Sequence, residues 1–298
     1  MKYRVVHVTD YVYEIPAMLC HNLVFQIPQN LPFQKVEEYT CEISPKPSFE
    51  ADRSDFFGNR YLYFSVERPH KKLTVTSRST LELLSPGWAE IVPESTMPWE
   101  NVVEWLHSTA ASSEIRQFYL ESNHVQSIEG IVEYALQSFL PGRPIMEAML
   151  DLNSRIFKDF AFTPGFTDIS TPLEKVFEHR KGVCQDFAHF SLACLRALGL
   201  SARYVSGYIE TFPPPGKPKL VGSDASHAWI GVYIPGHDWV EFDATNNLLV
   251  GDKHIRVAVG RDFADVTPLK GIVFAGKEQE MKVSVDVQSF EEEEEILG

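Results

Sequence analysis

Four cysteines, Cys20, Cys41, Cys184 and Cys194, are all that the 298-residue sequence contains, and none forms a CxxC pair. That spacing is no disulfide framework and points to a reduced, cytoplasmic chain. No apolar stretch approaches the roughly 18 residues that a membrane helix needs. The opening Met1–Asp10 segment alternates like a strand and lacks the apolar centre of a signal peptide. Closely paired metal ligands such as CxxC or HxxxH are also missing, so neither a zinc site nor any other cofactor is expected. His107, His124, His237 and His254 are scattered over separate elements, as surface or structural histidines usually are. Positive charge is scarce too. A net charge of −14 and a pI near 5.2 lack the electrostatic footprint of phosphate-backbone contact, which argues against nucleic acid as a partner. Oligomeric state is left open.

What is present is an ordinary globular mixture, with 44% hydrophobic residues and aromatic residues spread along the chain, enough for a substantial core. Residues 1–90 read as a β-rich domain. Alternating runs such as Tyr3–Thr9, Glu38–Ile43 and Lys72–Leu83 are punctuated by Pro28, Pro32, Pro45, Pro47 and Gly58, which suggests an antiparallel sandwich. A linker containing Pro86, Gly87, Pro93 and Pro98 follows. Residues 91–290 read as a second unit and 291–298 as an acidic, solvated tail. In the second unit, Ile145, Met149, Leu152, Ile156 and Phe160 recur at helical spacing behind Pro144. Thr171-Pro172-Leu173-Glu174 has the form of a capping box, predicting a helix that runs through Arg180-Lys181 and stops at Gly182. A further helix starts near Cys184, with Phe187, Phe190, Cys194, Leu195 and Leu198 as its apolar stripe and Gly199 at its end. Strands over 202–209, 226–234 and 238–245, with later ones near 272 and 282, complete an α+β pattern.

Cys184 stands in the first turn of that helix, just after Gly182. Free amides and the positive end of the helix dipole favour thiolate over thiol there, and the same amides can hold an oxyanion. Taken alone, Cys184 fits a buried structural cysteine equally well; Cys194, mid-helix on the apolar stripe, illustrates that alternative. His227 opens the strand Ser226–Ile234, and the next strand, Trp239–Asp243, brings a carboxylate towards the same end of the hairpin. Register decides whether the two meet. A four-residue loop puts Asp243 on the face opposite His227, whereas the three-residue loop Pro235-Gly236-His237 puts it beside Trp229 on the same face. The sequence therefore predicts an odd loop or a bulge, with Gly236 supplying a left-handed residue. Cys184 as nucleophile, His227 as base and Asp243 as orienter then form a triad.

The segments Gly182–His189, Ala202–Tyr208, Ser226–Trp229 and Phe242–Asn246, with Phe162–Gly165 upstream and Gly260–Pro268 downstream, resemble the bacterial transglutaminase-like superfamily of cysteine proteases. The first 84 residues resemble the β-rich N-terminal region that accompanies that core. The resemblance implies a papain-like α+β core of helices on an antiparallel sheet, with its catalytic triad at Cys184, His227 and Asp243. Ala244 departs from the family pattern, which usually has proline after the aspartate.

Neighbouring polar residues carry less. Asp186 lies two residues along the helix, so it points away from Cys184; its charge is favoured by the helix dipole there, with a supporting role behind the nucleophile left open, and His189 reads as a packing or network histidine. Trp229 reads first as core. Phe212–Pro218 reads as a stiff loop that could form a substrate rim. The leading functional expectation is hydrolysis of an amide or isopeptide bond in a peptide or protein through a thioester. Two alternatives stand beside it: resolution of the thioester by an amine, and a non-catalytic protein-binding module on the same fold.

Overall fold

The computed structural model describes residues 1–211, 226–276 and 279–291. Six strands come first: β1 (Lys2–Ala17), β2 (Leu19–Val24), β3 (Gln34–Ser44), β4 (Phe49–Ser54), β5 (Arg60–Val66) and β6 (His70–Leu83). Helices α1 (Trp99–His107), α2 (Ser113–Arg116), α3 (Ile131–Leu136) and α4 (Ile145–Asp159) follow. Next come β7 (Ala161–Phe162), α5 (Leu173–His179), β8 (Lys181–Gly182) and α6 (Cys184–Ala197). The remaining elements are β9 (Ala202–Ile209), β10 (Ser226–Ile234), β11 (Asp238–Asp243), β12 (Leu248–Leu249), β13 (His254–Gly260), α7 (Phe263–Val266), β14 (Leu269–Phe274) and β15 (Gln279–Phe290). Glu292–Glu295 of the acidic run and the Phe212–Pro218 loop lie outside the described residues. Among the described residues, no helix is long and apolar enough to cross a membrane.

Two four-stranded sheets, β15-β1-β6-β3 and β14-β2-β5-β4, face each other over a core that includes Tyr13, Val24, Phe64, Leu73 and Val75. The expected sandwich is there, but the expected division of the chain needs correcting. Strands β14 and β15, assigned from sequence to the 91–290 unit, pair with β2 and β1 of the first domain. They cover edges that a sandwich built from residues 1–90 alone would leave open. A strand's local alternation says where it is, not which remote partner it takes.

The second unit packs α6 against a five-stranded antiparallel sheet of order β12-β11-β10-β9-β13. α6 is more enclosed than an apolar stripe implies: Asp186 through Arg196 are all buried, the signature of a central helix wrapped on every side. α4 forms where the periodicity predicted, burying Ile145, Met149, Leu152 and Ile156. α5 departs from its predicted cap. Pro172, in extended conformation, is the capping residue, while the Thr171 hydroxyl is taken up by Asp168 in the preceding turn. The helix also ends early, with Arg180 left-handed (φ 53°), because Lys181-Gly182 is drawn into a short parallel pair with β7.

The two units share one hydrophobic core: Tyr3, Val5, Leu81, Val285 and Val287 of the sandwich join the residues around α6. Polar clamps add direction to this contact. β13 is an edge strand, and its open backbone groups are met by side-chain amides of the first domain. Gln34 donates to the Arg256 carbonyl (2.8 Å) and accepts from the Arg256 amide (2.9 Å). Asn59 does the same for Val259, at 2.7 and 2.8 Å. Both amides are buried, so Asn59→Leu strands an N–H and a C=O at a cost of about 1–3 kcal/mol each. Urea denaturation is expected to show a loss of at least about 2 kcal/mol on that basis.

Candidate active site

Cys184 owes its position to the way α6 begins. Val183 is extended (φ −121°), and the Asp186 carboxylate folds back to accept its amide at 2.7 Å while also accepting the Thr167 hydroxyl at 2.6 Å. Gly182 makes room for this: a Cβ there would lie 2.6 Å from Asp186 Oδ2. Asp186, pointing away from Cys184, thus fixes the helix start from behind. Burial raises its pKa, against the opposing pull of the Thr167 and Val183 hydrogen bonds.

The β10–β11 hairpin has the register that the triad requires. Ile234 pairs with Asp238 and Ile230 with Phe242, leaving the three-residue loop 235–237, with Gly236 at φ 87°. Asp243 consequently lies on the His227 face, and His227 Nε2 meets Asp243 Oδ2 at 2.8 Å. Cys184 lies close enough to His227 to help raise its pKa, and with Nε2 committed to Asp243 the nitrogen left for the sulfur is Nδ1. Burial by itself would lower the His227 pKa. The hydrogen bond to Asp243, the nearby Cys184 and their negative charge outweigh it and push the group up to about 10. Asp243 is fully buried, which would raise its pKa, yet its bonds to His227 and His254 hold it well below the carboxylate range. Its other oxygen, Oδ1, accepts the amides of Thr245 (2.9 Å) and Asn246 (3.2 Å).

One member of the site was missed in the sequence. His254, at the start of β13, places Nε2 3.1 Å from Asp243 Oδ2 and is almost fully buried. The sequence places it among scattered histidines, and no local pattern marks it, because β13 and β11 are not neighbours in the sheet. His227, Asp243 and His254 bring their nitrogen and oxygen atoms within 4.8 Å of one another, a donor set that could hold a metal ion. Both nitrogens stand closer to the shared oxygen than the ~3.3 Å expected between ligands on a tetrahedral ion with bonds near 2.0–2.1 Å. The geometry is that of one carboxylate accepting two imidazole donors.

Trp229 is buried, as the sequence suggested, and its ring lies 5.8 Å from that of His227 and 5.3 Å from that of His254. Its indole N–H donates to Glu241 at 2.8 Å. Glu241 is completely buried and pairs with Arg256 (2.7 Å) and Arg203 (3.3 Å), the latter stacked on Trp239. Burial would raise the Glu241 pKa, but the two guanidiniums bring it below its ordinary value. His189 does act as a network residue: it accepts the Phe263 amide, stacks on His124, and is driven by burial to about 3. A cavity of about 310 Å³ adjoins the start of α6, with Asn123, His124, Thr171, Gln185, Asp186 and His189 in its wall. All four cysteines are free. Cys20 and Cys41 belong to the sandwich, where burial raises their thiol pKa, and Cys194 is enclosed within α6.

Comparison with known proteins agrees with this architecture. Residues 3–82 match the bacterial transglutaminase-like N-terminal region, and residues 137–244 match the transglutaminase-like superfamily core. An uncharacterized protein of Mycobacterium tuberculosis is 41% identical over 97% of this chain and 93% of its own length. A protein-glutamine gamma-glutamyltransferase of Pseudomonas aeruginosa is 34% identical, over 29% of this chain and 13% of that protein. The crystal structure of a proposed cysteine protease from Cytophaga hutchinsonii superposes with a TM-score of 0.76, covering 98% of this chain and 92% of that one at 20% identity, and shares the fold. The chain belongs to the bacterial transglutaminase-like superfamily, with the superfamily's core preceded by its N-terminal region.

Proposed function

We propose that this protein is a cysteine-nucleophile acyl-transfer enzyme acting on amide or isopeptide bonds of a peptide or protein, with water as the usual acceptor. The observation that carries this reading is the buried His227–Asp243 hydrogen bond of 2.8 Å, with Cys184 at the start of α6 near enough to join Asp243 in pushing His227 up to about 10. Cys184 gives its proton to His227 Nδ1 and its sulfur attacks the carbonyl carbon. The oxyanion that forms lies against the free amides at the start of α6. Collapse breaks the C–N bond, and the departing amine takes the proton from His227, leaving a thioester on Cys184. Water, deprotonated by His227, then releases the acid and restores the thiol. A complete triad disfavours a non-catalytic binding role.

Transfer to an amine is the second reading, favoured by the matched segment of the Pseudomonas glutamyltransferase. Incubating the protein with glutamine-containing and isopeptide-linked peptides, with and without a primary amine, and weighing the products separates the two. Hydrolysis adds water across the bond; transfer adds the amine. Neither product from any such peptide, or products undiminished in Cys184→Ala, would sink the proposal. The pH dependence has a defined sign. His227 must be protonated to supply the leaving group, so kcat/KM should fall as pH rises through about 10. An alkaline limb near 7 would mean that Asp243 does not sustain the imidazolium.

A further inference from the structure

We infer that His254 is a positioning residue of the site, holding the Asp243 carboxylate so that one oxygen presents a fixed direction to His227. The inference rests on the triad reading and extends it. Asp243 Oδ2 accepts from three groups: Asn246 Nδ2 at 2.7 Å, His227 Nε2 at 2.8 Å and His254 Nε2 at 3.1 Å. With Oδ1 tied to two backbone amides, the carboxylate has no freedom to rotate away from His227.

The two imidazoles on this oxygen are not equivalent. His227 has Asp243 at Nε2 and the Cys184 sulfur nearby, and both favour its protonated form. His254 Nδ1 is buried with no hydrogen-bond partner. Its Nε2 must donate to the carboxylate, so Nδ1 bears the lone pair, and a proton added there would find no acceptor. His254 therefore donates to Asp243 without competing for the proton that Cys184 releases. A purely space-filling position would be better served by an apolar ring, since a half-satisfied buried imidazole carries a cost.

The surroundings bring His254 into place. Gly207 pairs with His227 on one side and Arg256 on the other, and a Cβ there would fall 2.0 Å from the Ile255 carbonyl and 2.5 Å from the Trp229 ring. Only a glycine lets β13 and Trp229 approach this closely. The outer edge of β13 is the one clamped by Gln34 and Asn59. The N-terminal domain thereby reaches the site: it fixes the strand that carries His254.

The test is the pH profile of Cys184 alkylation by iodoacetamide, which needs no knowledge of the substrate, with adduct position checked by peptide mass and folding by circular dichroism. Wild type is expected to react at pH 6 well above free cysteine. His254→Phe, of similar shape but without a donor, should lose about tenfold or more of that reactivity, while His254→Gln, which restores an N–H donor, should recover most of it. A merely structural histidine would change the amount of folded protein, not the reactivity of the folded fraction. Wild-type enhancement retained in full by folded His254→Phe overturns the role of His254 alone. A wild-type profile matching free cysteine overturns the triad, and His254 with it. Should His254→Phe not fold, ¹⁵N NMR of histidine-labelled wild type at pH 7 decides the matter. An Nε2–H tautomer with bare Nδ1 supports the assignment, and an Nδ1–H tautomer overturns it.

Discussion

Asp243→Ala is expected to lower kcat/KM by about 10²–10⁴-fold, the scale seen when the orienting carboxylate of a catalytic triad is lost. Three consequences combine. His227 loses the acceptor that selects its ring orientation. It also loses the main charge that holds it near 10, while its burial, which opposes protonation, remains. Finally, the amides of Thr245 and Asn246 and the His254 ring lose their common acceptor. Asp243→Asn separates these effects, because it keeps an oxygen for the amides but removes the charge. Stability should follow a defined pH window. His227 is raised from 6.5, so its contribution is fully present below 6.5 and lost as pH rises through about 10. Asp243 is depressed from 3.8, so its contribution is present above that value and lost on further acidification. The stability gap between wild type and Asp243→Asn should thus be widest between about pH 4 and 6.5 and should close towards pH 10. A gap that grows with pH would contradict the assignment, as would Asp243→Ala activity within about threefold of wild type.

Glu241→Ala is expected to cost about 3–5 kcal/mol, the usual penalty for removing one member of a buried ion cluster. Arg203 and Arg256 would face each other without their shared counter-charge, and the Trp229 indole would lose its acceptor. Arg203 is already held down to about 10 by burial, so little further desolvation can be absorbed there. Because Trp229 lies against both His227 and His254, the damage should extend to the site. Urea denaturation of wild type and variant measures the effect directly. A loss below about 1 kcal/mol would place Glu241 among surface-like pairs and refute the cluster's role.

Much of the site could be read from the sequence because it depends on local geometry. Cys184 follows a glycine at a helix start, and the parity of one hairpin loop decides whether Asp243 can reach His227; both are questions of short-range spacing. The family resemblance then attached a chemistry to that spacing. His254 and Glu241 escaped notice for a common reason. Each works through partners on strands remote in sequence, and a charged or polar residue in a strand looks the same in sequence whether buried or exposed. β14 and β15 were found as strands yet assigned to the wrong unit, since pairing with β1 and β2 is a long-range choice. The capping motif at Thr171 failed by one residue: Asp168 captured the threonine and Pro172 took its place.

The central claim is that Cys184, driven by His227 and Asp243, forms a covalent acyl intermediate. Its most direct test is intact-protein and peptide mass spectrometry after exposure to a thiol-reactive acyl probe under reducing conditions. The account predicts one acyl group per chain, on Cys184, absent from Cys184→Ala and strongly reduced in His227→Ala. No adduct on wild type, or one that persists on Cys20, Cys41 or Cys194 in Cys184→Ala, would contradict it.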